Sequence, residues 1–145
     1  MQIPSRFTIA VHILACISYF DGQYKLTSDF IAGSVGVNPV IIRKTIQQLK
    51  NAQLIEVKRG EGGAKISRPL EDISLLDVYE AVEPTGDKNL FSFHDSPNPN
   101  CPVGKNIHET LNSKLDEVQL EMKKNLFKYK ISDIVSEIKL SAGVK

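Results

Sequence analysis

The sequence predicts a mainly α-helical fold with one small β-hairpin and a long carboxy-terminal helix. Three observations predict it. Apolar residues recur at helical spacing through residues 31–49 and again, over a far longer stretch, from Val103 to Leu126. Between them, residues 54–66 alternate around a glycine-rich tip, Gly60-Glu61-Gly62-Gly63. The 145 residues amount to about one domain, and 41% hydrophobic with 24% charged residues fits a core-forming chain rather than a disordered or membrane-embedded one.

The first helix is expected from about Ser5 to Tyr19, ending at Asp21-Gly22. Its run from Phe7 to Phe20 is too short to span a bilayer and is interrupted by Thr8, His12 and Ser18. Ile13-Leu14-Ala15-Cys16 resembles a lipoprotein cleavage box, but only one basic residue precedes the run, so a buried core helix in a cytoplasmic protein is expected. The second helix starts at Thr27 as N-cap, with Leu26 and Ile31 as hydrophobic staple, and stops at Gly36. Three residues, Gly36-Val37-Asn38, separate it from a third helix. There Asn38 caps, Pro39 takes the first helical position, and Val37 staples to Ile42. Ile42, Ile46 and Leu49 form its inner face, leaving Val40, Arg43, Lys44, Gln47 and Lys50 outside or on the flanks.

After Asn51-Ala52 the period changes. Leu54, Ile55 and Val57, then Ala64 to Ser67, read as the two strands of a hairpin that Arg68-Pro69 closes. Ser74 and Asp77 open a short helix through a capping-box pair, and Pro84 ends it after Glu83. Residues 84–101 form a long loop rich in proline and asparagine. Val103, Ile107, Leu111, Leu115, Val118, Met122 and Leu126 then mark a helix of about 27 residues, a rod of roughly 40 Å. Its apolar stripe exceeds what the preceding fold can cover, so it is expected to pair with a second chain, the alternative being a fold back over its own domain. The expected dimer-interface residues are Ile107, Leu111, Leu115, Val118, Met122 and Leu126. Ser132 is expected to cap a short final helix through Ile134, Val135 and Ile138. The chain accordingly divides into residues 1–83, a loop over 84–102, and a dimerisation part over 103–145.

Net charge is only +1, but its distribution is informative. Residues 38–68 carry seven basic side chains against two acidic ones, while residues 69–100 carry seven acidic against one basic. Two helices joined by three residues and followed by a hairpin form the order of a winged helix-turn-helix, and the basic segment coincides with its third helix and wing. Such a helix can lie in the major groove of DNA. Arg43 is placed to donate to a guanine, Lys44 to a base or phosphate, and Val40 to touch a thymine methyl. Thr27 and Ser28 suit a backbone phosphate, and Arg59 the minor groove. The candidate DNA-binding set is Thr27, Ser28, Asn38, Val40, Arg43, Lys44, Gln47, Lys50, Arg59 and Gly60.

Several segments carry a family resemblance: Ile31-Ala32, Asn38 to Lys44, Leu49 to Ile55, Lys58 to Gly63 with Arg68-Pro69, and Ile73 to Val78. The sequence resembles the Rrf-type family of bacterial winged-helix repressors and activators, whose members regulate iron–sulfur assembly, nitric-oxide response and cysteine metabolism. The resemblance spans the chain and is strongest over residues 26–83. It implies a homodimer formed through the long helix, base readout at Arg43 and Lys44, and a wing arginine at Arg59. Its sensors hold an iron–sulfur cluster with three loop cysteines, whereas this chain has Cys101 alone there, so no cofactor is expected. Cys16 reads as a small buried thiol. His94, Cys101 and His108 stand seven residues apart with Asp95 nearby, but they read as polar residues flanking a loop, and no metal is expected. Cys101 remains a candidate redox or effector thiol.

The expected function is a cytoplasmic, bacterial, homodimeric transcription regulator, a repressor, binding an inverted-repeat operator in double-stranded DNA and no membrane. Two rivals from other classes stay open. One is an RNA-binding module, since Gly60 to Gly63 spells the GxxG of KH domains; the other is a dimeric adaptor without DNA affinity. An enzyme is not expected, because no hydrolase, metalloprotease, P-loop or dinucleotide motif occurs.

Overall fold

A computed structural model describes residues 5–58, 63–83, 91 and 93–143. Helix α1 (Arg6–Tyr19) buries Ala10, Ile13, Leu14, Ala15, Cys16 and Ile17, apolar residues on more than one side of the cylinder. That makes it the central element, packed against the helices that start at Ser28, Pro39, Leu75 and Ile131 and against the strand that starts at Gly63. Helix α2 (Ser28–Val35) starts at Thr27, whose side chain accepts the Phe30 N–H at 3.1 Å, and ends at Gly36 with a left-handed φ of 81°. Helix α3 (Pro39–Asn51) begins with the Asn38 side chain accepting the Val40 N–H at 2.8 Å.

Strands β1 (Ile55–Lys58) and β2 (Gly63–Ile66) pair antiparallel, Ile55 opposite Ile66 and Lys58 opposite Gly63. Glu56 faces Lys65 across the ladder, an opposite-charge pair that favours this register. A parallel bridge from Leu26 to Gly63 adds a third short edge to the hairpin. Gly63 has a φ of 83°, and a Cβ there would stand 2.2 Å from the Leu26 carbonyl oxygen, so the close approach requires glycine. A short 3-10 turn (Leu70–Asp72) leads to α4 (Leu75–Val82), opened by the reciprocal Ser74–Asp77 capping box.

Helix α5 (Pro102–Lys128) runs 27 residues, and not one of them is buried. None joins the hydrophobic core, which is built from Ala10 to Val82 together with Ile131 and Val135. Among the described residues α5 packs substantially only on α4. The final helix differs from its expected start: α6 (Ile131–Ser141) begins before Ser132. The reason lies outside local capping. The Ile131 N–H donates to the Ile73 carbonyl at 2.8 Å and the Leu75 N–H to the Tyr129 carbonyl at 2.9 Å. These bonds bring the chain back to the core, and Ile131 becomes fully buried. Asp133, in the first turn, then accepts the N–H of the cap residue Lys130 at 3.0 Å, and Ser132 lies inside the helix.

Candidate nucleic-acid interface

Helix α3 is held from one side and open on the other. Ile42 and Leu49 are fully buried, Thr45 is buried with its hydroxyl donating to the Ile41 carbonyl at 2.9 Å, and Ile46 is half-buried against the core. Thr45 was not anticipated as an inner-face residue; its hydroxyl satisfies itself on its own helix, which is how a polar side chain passes as core.

The opposite stripe carries Val40, Arg43, Lys44 and Gln47, all exposed, spaced at three, four and seven residues from Val40. This stripe covers roughly 10 Å along the helix axis and starts at its amino end. Val40 is 60% exposed, so an apolar side chain stands in solvent where a methyl contact would be made. Ile41, 44% exposed beside it, is a further apolar residue that the sequence pattern did not single out. Spacing assigns Ile42 of the run Val40-Ile41-Ile42 to the inner face and gives Ile41 beside it no role. Gln47 donates to Asn51 Oδ1 at 3.0 Å, so its amide must exchange that partner to touch DNA. Lys50 is exposed at the last turn of α3.

Thr27 uses its hydroxyl oxygen as an acceptor for α2, leaving the O–H proton as a possible donor to a phosphate; Ser28 follows, half-buried, at the first helical position. Asn38 similarly commits its carbonyl oxygen to Val40, which leaves its NH₂ to face outward. On the hairpin, Lys58 and Lys65 are both exposed. Arg59 and Gly60 lie outside the described residues. The strands flanking the glycine tip remove the helices that a KH-type GxxG loop needs on either side.

The chain as a whole is similar to known proteins. The profile of the Rrf2 family, described as iron-dependent transcriptional regulators, matches residues 3–137. The chain belongs to the Rrf2 family. YwnA of Bacillus subtilis (strain 168), named as an HTH-type transcriptional regulator, is 39% identical over 137 residues, covering 94% of this chain and 99% of that one. A crystal structure of a protein described as DNA-binding superposes with a TM-score of 0.73 at 38% identity, over 90% of this chain and 98% of that one. The global cysteine regulator CymR of B. subtilis shares the fold at 17% identity, with a TM-score of 0.65 over 94% and 98% of the two chains. This Rrf2 protein is a DNA-binding transcription regulator. No helix among its described residues is long and apolar enough to cross a membrane.

The family description raises the question of iron. A cluster needs several thiolates at one place. The chain has two cysteines, and Cys16 is buried in α1 while Cys101 precedes α5. The His94 and His108 rings meet edge-on at 5.0 Å, and Phe93 lies 5.0 Å from His108 on another side. His108 Nε2 is buried with no hydrogen-bond partner, but one orphaned nitrogen is not a donor set. Among the described residues no three His, Cys, Asp or Glu side chains are placed to share an ion. The residues present do not fit an iron–sulfur cluster. The Cys101 thiol lies below its ordinary pKa because the Gly104 amide, and then the Val103 amide, stabilise its thiolate at the start of α5.

Proposed function

We propose that this regulator acts as a homodimeric repressor on an inverted-repeat operator, and that it is not an enzyme. Each protomer sets α3 into one major groove, with Arg43 donating to a guanine, Lys44 reaching a base or phosphate, and Val40 against a thymine methyl. Thr27, Ser28, Asn38 and Lys50 contact the backbone, and the wing with Arg59 and Gly60 enters the neighbouring minor groove. The α5 stripe of Ile107, Leu111, Leu115, Val118, Met122 and Leu126 joins the two protomers, and residues 1–83 read the DNA.

The observation that carries this reading is the exposed stripe of Val40, Arg43 and Lys44 at the amino end of a helix whose far side is anchored by Ile42 and Leu49. The test is selection of bound sequences from a random duplex pool, followed by affinity measurements on the recovered site and on random DNA. An inverted repeat is expected, and Arg43→Ala should weaken the selected site by about 1–3 kcal/mol while changing random DNA less. Equal losses on both would reduce Arg43 to a phosphate contact. For repression, transcription in vitro from a promoter carrying the site should fall as protein is added; a rise would make it an activator.

A further inference from the structure

An open pocket of about 310 Å³ lies between α1, α2 and α6, and no residue of α3 lines it. Its walls are apolar: Tyr19 and Phe20 from α1 and its end, Val135 and Ile138 from α6. Apart from the Tyr19 hydroxyl, its side-chain polar groups, those of His12, Cys16 and Ser34, form one connected set. Cys16 Sγ donates to Ser34 Oγ at 3.2 Å, and Ser34 Oγ shares a hydrogen bond with His12 Nε2 at 2.9 Å. Neither a lysine, an arginine nor a carboxylate is among the described lining residues. His12 and Ser34 stand twenty-two residues apart in sequence and meet only because α1 and α2 pack together.

This lining specifies a ligand. An enclosed cavity of roughly 150 Å³ holds benzene, and this open pocket of about 310 Å³ has room for a molecule of one or two rings. The aromatic walls suit a flat apolar body, and the lack of a fixed countercharge disfavours an anion. The connected corner of Ser34 and His12 matches one hydroxyl. We infer that the cavity is an effector site for a small neutral phenol, whose ring lies against Tyr19 and Phe20 and whose hydroxyl joins Ser34 and His12.

Its position makes it regulatory. Ser34 stands two residues before Gly36, which opens the turn into α3, and α2 packs directly on α3. A molecule between α1, α2 and α6 changes how α2 sits and therefore how α3 is presented. It alters DNA affinity to the extent that it binds the free and DNA-bound forms differently. This consequence rests on α3 reading DNA, whereas occupancy of the cavity does not.

The test uses the full chain with phenol, toluene and benzoate as probes, reading thermal shift without DNA and, separately, affinity for the selected operator. Phenol should raise the melting temperature saturably and bind more tightly than toluene, which lacks the hydroxyl, and benzoate, which is charged. Ser34→Ala, at an exposed position, should lower phenol affinity several-fold to the toluene level, as one lost hydrogen bond predicts. Ile138→Trp should fill the space and abolish binding of both. Saturating phenol should change operator affinity at least threefold in the unmodified protein and not in Ile138→Trp. Absence of saturable phenol binding, or phenol binding by both variants as tight as by the unmodified protein, would overturn the site. Phenol bound without any change in operator affinity would overturn its role as an effector. A protein that selects no operator would instead defeat DNA reading by α3, with the thermal shifts still deciding the cavity.

Discussion

Two glycines with the same backbone sign separate strain from contact. Gly22 and Gly63 have φ of 79° and 83°, but a Cβ at Gly22 meets nothing within 4 Å, whereas at Gly63 it meets the Leu26 carbonyl. Gly22→Ala should therefore cost only the left-handed penalty, about 1 kcal/mol, while Gly63→Ala should cost at least about 2 kcal/mol because the Leu26 bridge must also open. Urea unfolding of the two variants measures this; equal losses would show that the wing edge moves aside freely. Cysteine chemistry divides as sharply. Cys101 is half-buried with a lowered pKa from the Gly104 and Val103 amides, and Cys16 is 4% exposed. A lowered pKa places the thiolate at lower pH, so iodoacetamide at neutral pH should label Cys101 first, with a labelling midpoint below that of a free cysteine. Peptide mass mapping across pH checks both points, and preferential labelling of Cys16 would contradict the structure.

At the scale of elements, what could be read from the sequence was local. The caps Thr27, Asn38 and Ser74, the stop at Gly36 and the spacing of Ile42 and Leu49 act through neighbours within a few residues, so α2, α3 and α4 lie where the pattern put them. The start of α6 was misplaced because Ile73 and Tyr129, far apart in the chain, fix it through backbone bonds. The candidate interface was legible for the same reason as the helices: Arg43 and Lys44 are charged and flank an apolar stripe. Ile41 was not, since an exposed isoleucine has the same residue type as a buried one. The Cys16–Ser34–His12 set was likewise invisible, its members being joined only by the packing of α1 on α2. The end of α3 offers a test of element-level reasoning. Gln53, with φ of 63°, occupies the left-handed position after the helix, its N–H bonding the Lys50 carbonyl and the Leu54 N–H the Leu49 carbonyl. This is a Schellman ending with glutamine where glycine is favoured. Gln53→Gly should stabilise the protein by about 0.5–1 kcal/mol in thermal unfolding, since the exposed side chain adds little packing. No gain would mean that unfolded-state entropy offsets the relief of strain.

For the whole molecule, the decisive feature is a helix that one chain leaves uncovered. The core closes without α5: Ile131 and Val135 return to it from beyond the helix, and α4 is the only element on which α5 rests substantially among the described residues. Leu111 is 38% exposed and Val118 52%, so the middle of the stripe presents apolar surface to solvent in the single chain. A two-fold partner would cover both stripes at once, and any substitution there would act twice in the interface. Leu115 belongs to this stripe and not to the core cluster, so Leu115→Asp should keep the helical circular dichroism of the parent protein. It should raise the dimer dissociation constant at least tenfold, which corresponds to about 1.4 kcal/mol. Ser113→Asp introduces the same charge on the opposite side of α5 and should leave the dimer intact. Sedimentation equilibrium of the two variants decides the matter. A dimer equally resistant to both would move the interface off this stripe, whereas loss in Leu115→Asp alone would tie DNA reading on an inverted repeat to the rod, because two half-sites about 34 Å apart need two recognition helices held at a fixed distance.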